Sequence, residues 1–156
     1  EFCKKLSLML FEKGALLNDQ YVSIPTEAQW EYACRANTTS RWFFGDREED
    51  IVDYAWISSN SKDDLKPAKL KKPNQWNLFE MYGNVSKWVL DNFSLYENIA
   101  DYLIDPVFVD EQSKLKMARG GAFSFPAREC RSASREVIEI DNPFNETTGL
   151  RPVIII

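Results

Sequence analysis

Gly83-Asn84-Val85-Ser86-Lys87-Trp88 is the segment from which the fold of this 156-residue chain is read. Glycine and asparagine tolerate positive φ better than other residues, so Gly83-Asn84 specifies a tight turn, and Asn77 just upstream suits the same backbone. Leu78-Phe79-Glu80-Met81 leads into the turn, and Lys87-Trp88-Val89-Leu90 reads as a strand leaving it. Lys87 is the one charged position of the hexapeptide.

Upstream, Thr26-Glu27-Ala28-Gln29 fits a capping box, in which the Thr26 hydroxyl accepts from the Gln29 amide and the Gln29 side chain reaches back. The helix it opens places Trp30, Ala33 and Cys34 on one face, and Glu27 and Glu31 complement the positive end of its dipole. Phe2, Leu6, Met9 and Leu10 recur at helical spacing and predict an opening helix, with Gly14 as its left-handed stop. Tyr21-Val22-Ser23-Ile24 alternates like a short strand closed by Pro25. From Asn37 to about Asn77 turn signals and spaced aromatics predict ordered loop.

Downstream, Asn92 to Gln112 reads as a surface excursion. Gly120-Gly121, after Lys116-Met117-Ala118-Arg119, would let the backbone pass close to another segment or bulge a strand. Arg131 to Val137 is a further strand candidate, and Val153-Ile154-Ile155-Ile156 is expected as a buried apolar strand.

The composition bounds the chemistry. Ten Phe, six Tyr and five Trp favour one compact, aromatic-filled core over residues 1–156. A net charge of -5 and a pI near 4.9 argue against nucleic acid, which is bound through clustered cations. The basic run Lys66, Lys69, Lys71, Lys72 reads as a solvated loop in preference to a polyanion patch. No apolar run approaches the roughly 18 residues that span a bilayer, so membrane insertion is not expected. Histidine is absent, which removes the commonest general base and transition-metal ligand. Cys3, Cys34 and Cys130 are too few and scattered for a disulfide framework, and Cys34 is expected as a small buried apolar residue.

Four blocks together resemble the formylglycine-generating (sulfatase-modifying) enzyme family. Ile24 to Ala33 is similar to its Leu-Pro-Thr-Glu-Ala-Glu-Trp-Glu-Tyr-Ala, and Phe43-Phe44-Gly45-Asp46 to its Tyr-Pro-Trp-Gly-Asp. Asn77 to Val85 resembles Gly-Leu-Tyr-Asp-Met-His-Gly-Asn-Val, and the hexapeptide itself resembles Gly-Asn-Val-Trp-Glu-Trp. The last block runs from Arg119-Gly120-Gly121-Ala122-Phe123 through Cys130-Arg131-Ser132-Ala133-Ser134-Arg135 to Gly149-Leu150-Arg151. The resemblance implies an α+β, C-type-lectin-like fold with two helices, short twisted antiparallel strands and extensive ordered loops. It also implies strands ahead of the opening helix, so the single domain is expected to lack the usual N-terminal strands.

Arg119, Arg131, Arg135 and Arg151 are expected as anchors for loop carbonyls or carboxylates, which their planar five-donor forks suit. Thr26, Gln29, Gly83, Asn84 and Lys87 are likewise expected to be structural.

The resemblance implies copper chemistry at a pair of cysteines five residues apart after the Gly-Gly motif, a soft thiolate pair suited to Cu(I). Counted from Gly120-Gly121, the two positions are Phe125 and Cys130, so at most half of that site is present. Cys130 could be a nucleophile activated by Arg128 and Arg131, or a packed thiol, and the packed thiol is favoured without a base partner. The resemblance also implies a structural Ca²⁺ held by the glutamate that Lys87 replaces, and the Lys87 ammonium is expected to fill the metal's space by bonding to loop carbonyls or a carboxylate. No metal and no cofactor is therefore expected, with copper or calcium called for only if the chain retains the family's oxidoreductase activity.

Two functions are open. The first is a catalytically inert binding or scaffold module that takes a protein or small polar ligand on its loop face, with Trp42, Trp56, Trp76, Phe93 and Tyr96 as contact candidates. The second is a copper- or thiol-dependent oxidoreductase that generates formylglycine in sulfatases through Cys130.

Overall fold

The computed structural model of the chain describes residues 1–95, 104–142 and 146–156. Tyr96 lies outside the described residues. The first helix, α1 (Phe2–Glu12), ends where Gly14 takes φ +67°, with the Gly14 and Ala15 amides donating to the Phe11 and Leu10 carbonyls. It buries none of its side chains. Ser7 ties it to the strand β1 (Tyr21–Ser23) by accepting from the Val22 amide at 2.8 Å.

The capping box forms as read: Thr26 Oγ1 accepts from the Gln29 amide, and Gln29 Oε1 from the Thr26 amide, each at 3.1 Å. It opens α2 (Glu27–Arg35), whose Trp30 and Cys34 are buried. The strands β2 (Ser86–Asn92), β3 (Leu115–Arg119), β4 (Arg135–Glu139) and β5 (Thr148–Gly149) form one sheet in the order β4-β3-β2-β5. The last strand, β6 (Val153–Ile155), pairs antiparallel with β1 in a separate two-stranded sheet.

Several details depart from the sequence reading. The strands are not all antiparallel, since β5 runs parallel to β2. The strand expected from Arg131 begins at Arg135, because residues 131–134 close a turn in which the Ser134 amide donates to the Arg131 carbonyl and Arg131 Nε to the Arg128 carbonyl. Asn92 is no surface residue: it ends β2, fully buried, and its Oδ1 accepts from the Asp110 amide. The C-terminal strand is not buried either, with Ile154 52% and Ile156 90% exposed. Among the described residues β6 is one of two strands in its sheet and has an unpaired outer edge.

The core lies between α2, the sheet and the aromatic loop. Phe43 stacks on Tyr82 at 4.9 Å and Phe44 on Tyr54 at 4.4 Å. Two asparagines hold the loops with side-chain bonds that replace a regular ladder. Asn74 donates to the Ala33 and Cys34 carbonyls and accepts from the Trp76 and Leu78 amides. Asn84 exchanges two bonds of 3.0 Å with the backbone of Lys66. Within the lysine run Lys69 and Lys72 are exposed to solvent, while Lys71 sits 3.9 Å above the Trp56 ring and Lys72 pairs with Asp53 at 2.8 Å. Among the described residues no helix is long and apolar enough to cross a membrane.

Candidate functional site

The scaffold of the site is a buried charge cluster. Arg119, at the end of β3 with no exposed surface, donates to Glu27 at 2.8 Å, to Glu31, and to the Ser132 carbonyl at 2.8 Å. Its guanidinium lies 5.2 Å from the centre of the Trp30 ring. Arg135 grips both oxygens of Glu27 and donates to the Ser94 carbonyl. Buried guanidinium groups matched to carboxylates and carbonyls in this way fix the relative placement of α2, β3 and β4. Arg151 likewise donates to the Phe79 carbonyl.

Upon this scaffold the Gly83 turn and the Gly120-Gly121 pair meet. The Gly83 amide donates to the Gly120 carbonyl at 2.9 Å, and the Asn84 amide to the Trp56 carbonyl at 2.8 Å. Gly83 has φ +63° and Asn84 φ +60°. A Cβ on Gly121 would stand 2.5 Å from Cys130 Sγ, so the close-approach reading of the glycine pair holds.

Lys87 projects from β2 into this junction, where it is buried. Its Nζ donates to the Gly83 carbonyl at 3.0 Å and, more weakly, to the Met81 carbonyl at 3.4 Å. Burial, reinforced by the nearby Arg151 charge, pulls its ammonium down to about 7.

Cys130 closes a 3₁₀ turn, Ala127–Cys130, and its thiol is enclosed. Burial pushes the thiol up to about 12, against the smaller opposing pulls of Lys87 and a Gly83 backbone bond. Burial likewise pushes the Cys34 thiol up to about 11. Such thiols are protonated and poor nucleophiles at neutral pH. Phe125, at the other position in question, is half-buried and packs on the core. Its ring supplies no ligand atom. The donor set of one enclosed, protonated thiol and a phenyl ring does not fit a Cu(I) site, which calls for two thiolates. Among the described residues no group of three His, Cys, Asp or Glu side chains is placed to hold a metal.

The contact candidates divide. Trp42 is only 1% exposed and belongs to the core, which withdraws it as a contact residue. Phe93 is half-buried against that core, and Trp56 is half-buried beneath Lys71. Trp76 is 38% exposed and meets Tyr32 edge to face at 5.0 Å. Tyr32, 65% exposed on the outer side of α2, is the aromatic that sequence reasoning missed. Its place outside the Trp30–Ala33–Cys34 face was the available signal.

Beside the Cys130 turn a groove of about 430 Å³ is walled by Phe125, Arg128, Glu129, Arg131, Arg135 and Glu136, among others. Burial raises the Glu136 carboxyl, and Ser86 donates to it.

A small α+β domain whose irregular loops are held by buried ion pairs and a glycine-paired turn is thus the class of protein defined here. The chain belongs to the family described as sulfatase-modifying factor enzyme 1-like domain, whose model matches residues 1–156. It is 28% identical over 90 residues to the formylglycine-generating enzyme of Mus musculus, a match covering 50% of this chain and 24% of that protein. Among solved structures it is similar to Treponema denticola variable protein 1, with a TM-score of 0.71 and 27% identity over 88% of this chain and 49% of that one. PvdO from Pseudomonas aeruginosa shares the fold, with a TM-score of 0.78 and 22% identity over 96% of this chain and 57% of that one. The chain thus spans about a quarter of the curated relative and about half of the solved ones.

Proposed function

We propose that this domain is a binding module built on the sulfatase-modifying-factor fold, and that it does not perform the copper-dependent oxidation of a substrate cysteine. The observation that carries this reading is the turn after Gly120-Gly121. There Phe125 and the enclosed thiol of Cys130 stand where the resemblance calls for two copper thiolates.

Lys87 supports the same reading. The resemblance gives its place to a calcium-ligating glutamate, and its ammonium instead donates to the Gly83 and Met81 carbonyls. A chain-borne amine takes the place of a dissociable cation.

The groove beside Cys130 is the surface a partner would use. Arg128 and Arg131 are exposed along it beside Glu129 and Glu136, and these mixed charges suit a polar protein segment. The test is oxidation of a Cys-x-Pro-x-Arg peptide with Cu(I) and oxygen, followed by mass spectrometry. The expected result is unmodified peptide. Turnover that disappears in Cys130→Ala would overturn the proposal.

A further inference from the structure

We propose that the cavity between the Glu80–Lys87 turn and the Leu150–Pro152 segment is a binding site for a small oxyanion, a carboxylate or a phosphate-like group, held by Lys87 and Arg151. This inference stands apart from the groove beside Cys130 and does not rest on the binding-module reading.

The cavity has a volume of about 390 Å³, and Glu80, Asn84, Val85, Lys87, Leu150 and Arg151 are among the residues that line it. Donors remain to spare there. An ammonium has three N–H groups, and Lys87 directs two at carbonyls, one of them at a long 3.4 Å. A guanidinium has five, and Arg151 uses one, from Nη2 to the Phe79 carbonyl, which leaves terminal N–H groups for a ligand, while its Nε is enclosed and without a hydrogen-bond partner. Asn84 gives one of its two amide N–H groups to the Lys66 carbonyl and accepts from the Lys66 amide, which fixes its side chain at the cavity wall.

The charge balance points the same way. With Lys87 protonated, two cations face one carboxylate, Glu80, which also accepts from the Lys69 amide. One positive charge is therefore uncompensated in partly buried surroundings, the situation an anion relieves. A cation in the same cavity would meet two like charges.

Binding should also be proton-linked. The groups acting on Lys87 are Arg151, Glu80 and the two thiols Cys130 and Cys34. With its ammonium near neutrality, Lys87 gains a proton when an anion arrives, so affinity declines as the pH rises above 7.

The experiment is isothermal titration of the whole chain at pH 6.5 with sulfate, inorganic phosphate and succinate in turn, at constant ionic strength. The arms separate phosphate-like from carboxylate ligands. Saturable binding of at least one is expected, weakened about tenfold or more in Arg151→Gln, as loss of a charge-assisted donor predicts. Glu80→Gln, which keeps an acceptor for the Lys69 amide, should tighten binding severalfold and is informative even if Arg151→Gln misfolds. The proposal is overturned by no saturable binding of any of the three in the tens of millimolar, by binding unchanged in both variants, or by preferential binding of calcium chloride.

Discussion

Arg135 meets Glu27 edge to edge, with Nε on Oε1 and Nη2 on Oε2, both at 2.7 Å. The same Oε1 takes Nη1 of the fully buried Arg119. One carboxylate in the first turn of α2 thus bridges guanidinium groups from two adjacent strands.

Removing it should be costly. Glu27→Ala leaves Arg119 buried with only Glu31 to balance it, and a loss of about 3 kcal/mol is expected. Urea unfolding followed by tryptophan fluorescence measures it. A loss under about 1 kcal/mol would show that the cluster contributes orientation and not stability.

The pH dependence of stability has a defined shape. Lys87 is held near 7 when folded and titrates near 10.4 when unfolded, so between those values the unfolded chain binds the extra proton. Stability therefore climbs with pH above 7, on the order of 1.4 kcal/mol per unit. Cys34 and Cys130, raised to about 11 and about 12, act in the opposite direction once unfolded thiols ionise above roughly pH 8.5. A maximum between these limits is expected in denaturation midpoints across pH. In Lys87→Met the rising limb should vanish while the alkaline fall persists.

Gly83→Ala tests the turn. A Cβ there would stand 2.1 Å from the Trp56 carbonyl oxygen, and the φ of +63° already disfavours a side chain. A destabilisation of about 3 kcal/mol or more is expected, because the obstructing atom is backbone. Gly14→Ala has a similar φ, +67°, and open space around it, so it isolates the conformational part at about 1 kcal/mol. Equal midpoint shifts for the two variants would remove the steric argument.

The thiols should separate cleanly. Cys3 is partly exposed on α1, whereas Cys34 and Cys130 are enclosed. A chromogenic disulfide reagent at pH 7.5 is expected to titrate one thiol promptly and the other two only on unfolding. Prompt labelling of Cys130 would give it the accessibility that the enclosed turn denies.

The parts of this fold legible in the sequence are those set by short-range physics. The Thr26–Gln29 box spans four residues, and the positive-φ positions Asn77, Gly83 and Asn84 follow from residue type alone. The carboxylate partners of Arg119 lie 92 and 88 residues away, so sequence indicated the kind of partner but not its identity. Trp42 was misread because a tryptophan has the same signature in a core as at a contact surface. Asp91 was missed altogether, although its carboxylate fastens the Glu27 and Phe108 amides together. The C-terminal isoleucines read as buried because an apolar run does not disclose how many strands will flank it.

The β1–β6 ladder has a mechanical consequence. Tyr21 pairs with Ile155 and Ser23 with Val153, so the segments leading outward to the two chain ends leave the ladder on the same side. Tension applied between those ends peels the three pairs apart one after another and does not load them in parallel. The four-stranded sheet, with Lys87 on its β2 strand, is shielded from the first rupture. Under optical-trap extension the domain should yield in two steps, a weak zipper-like opening followed by a stronger event.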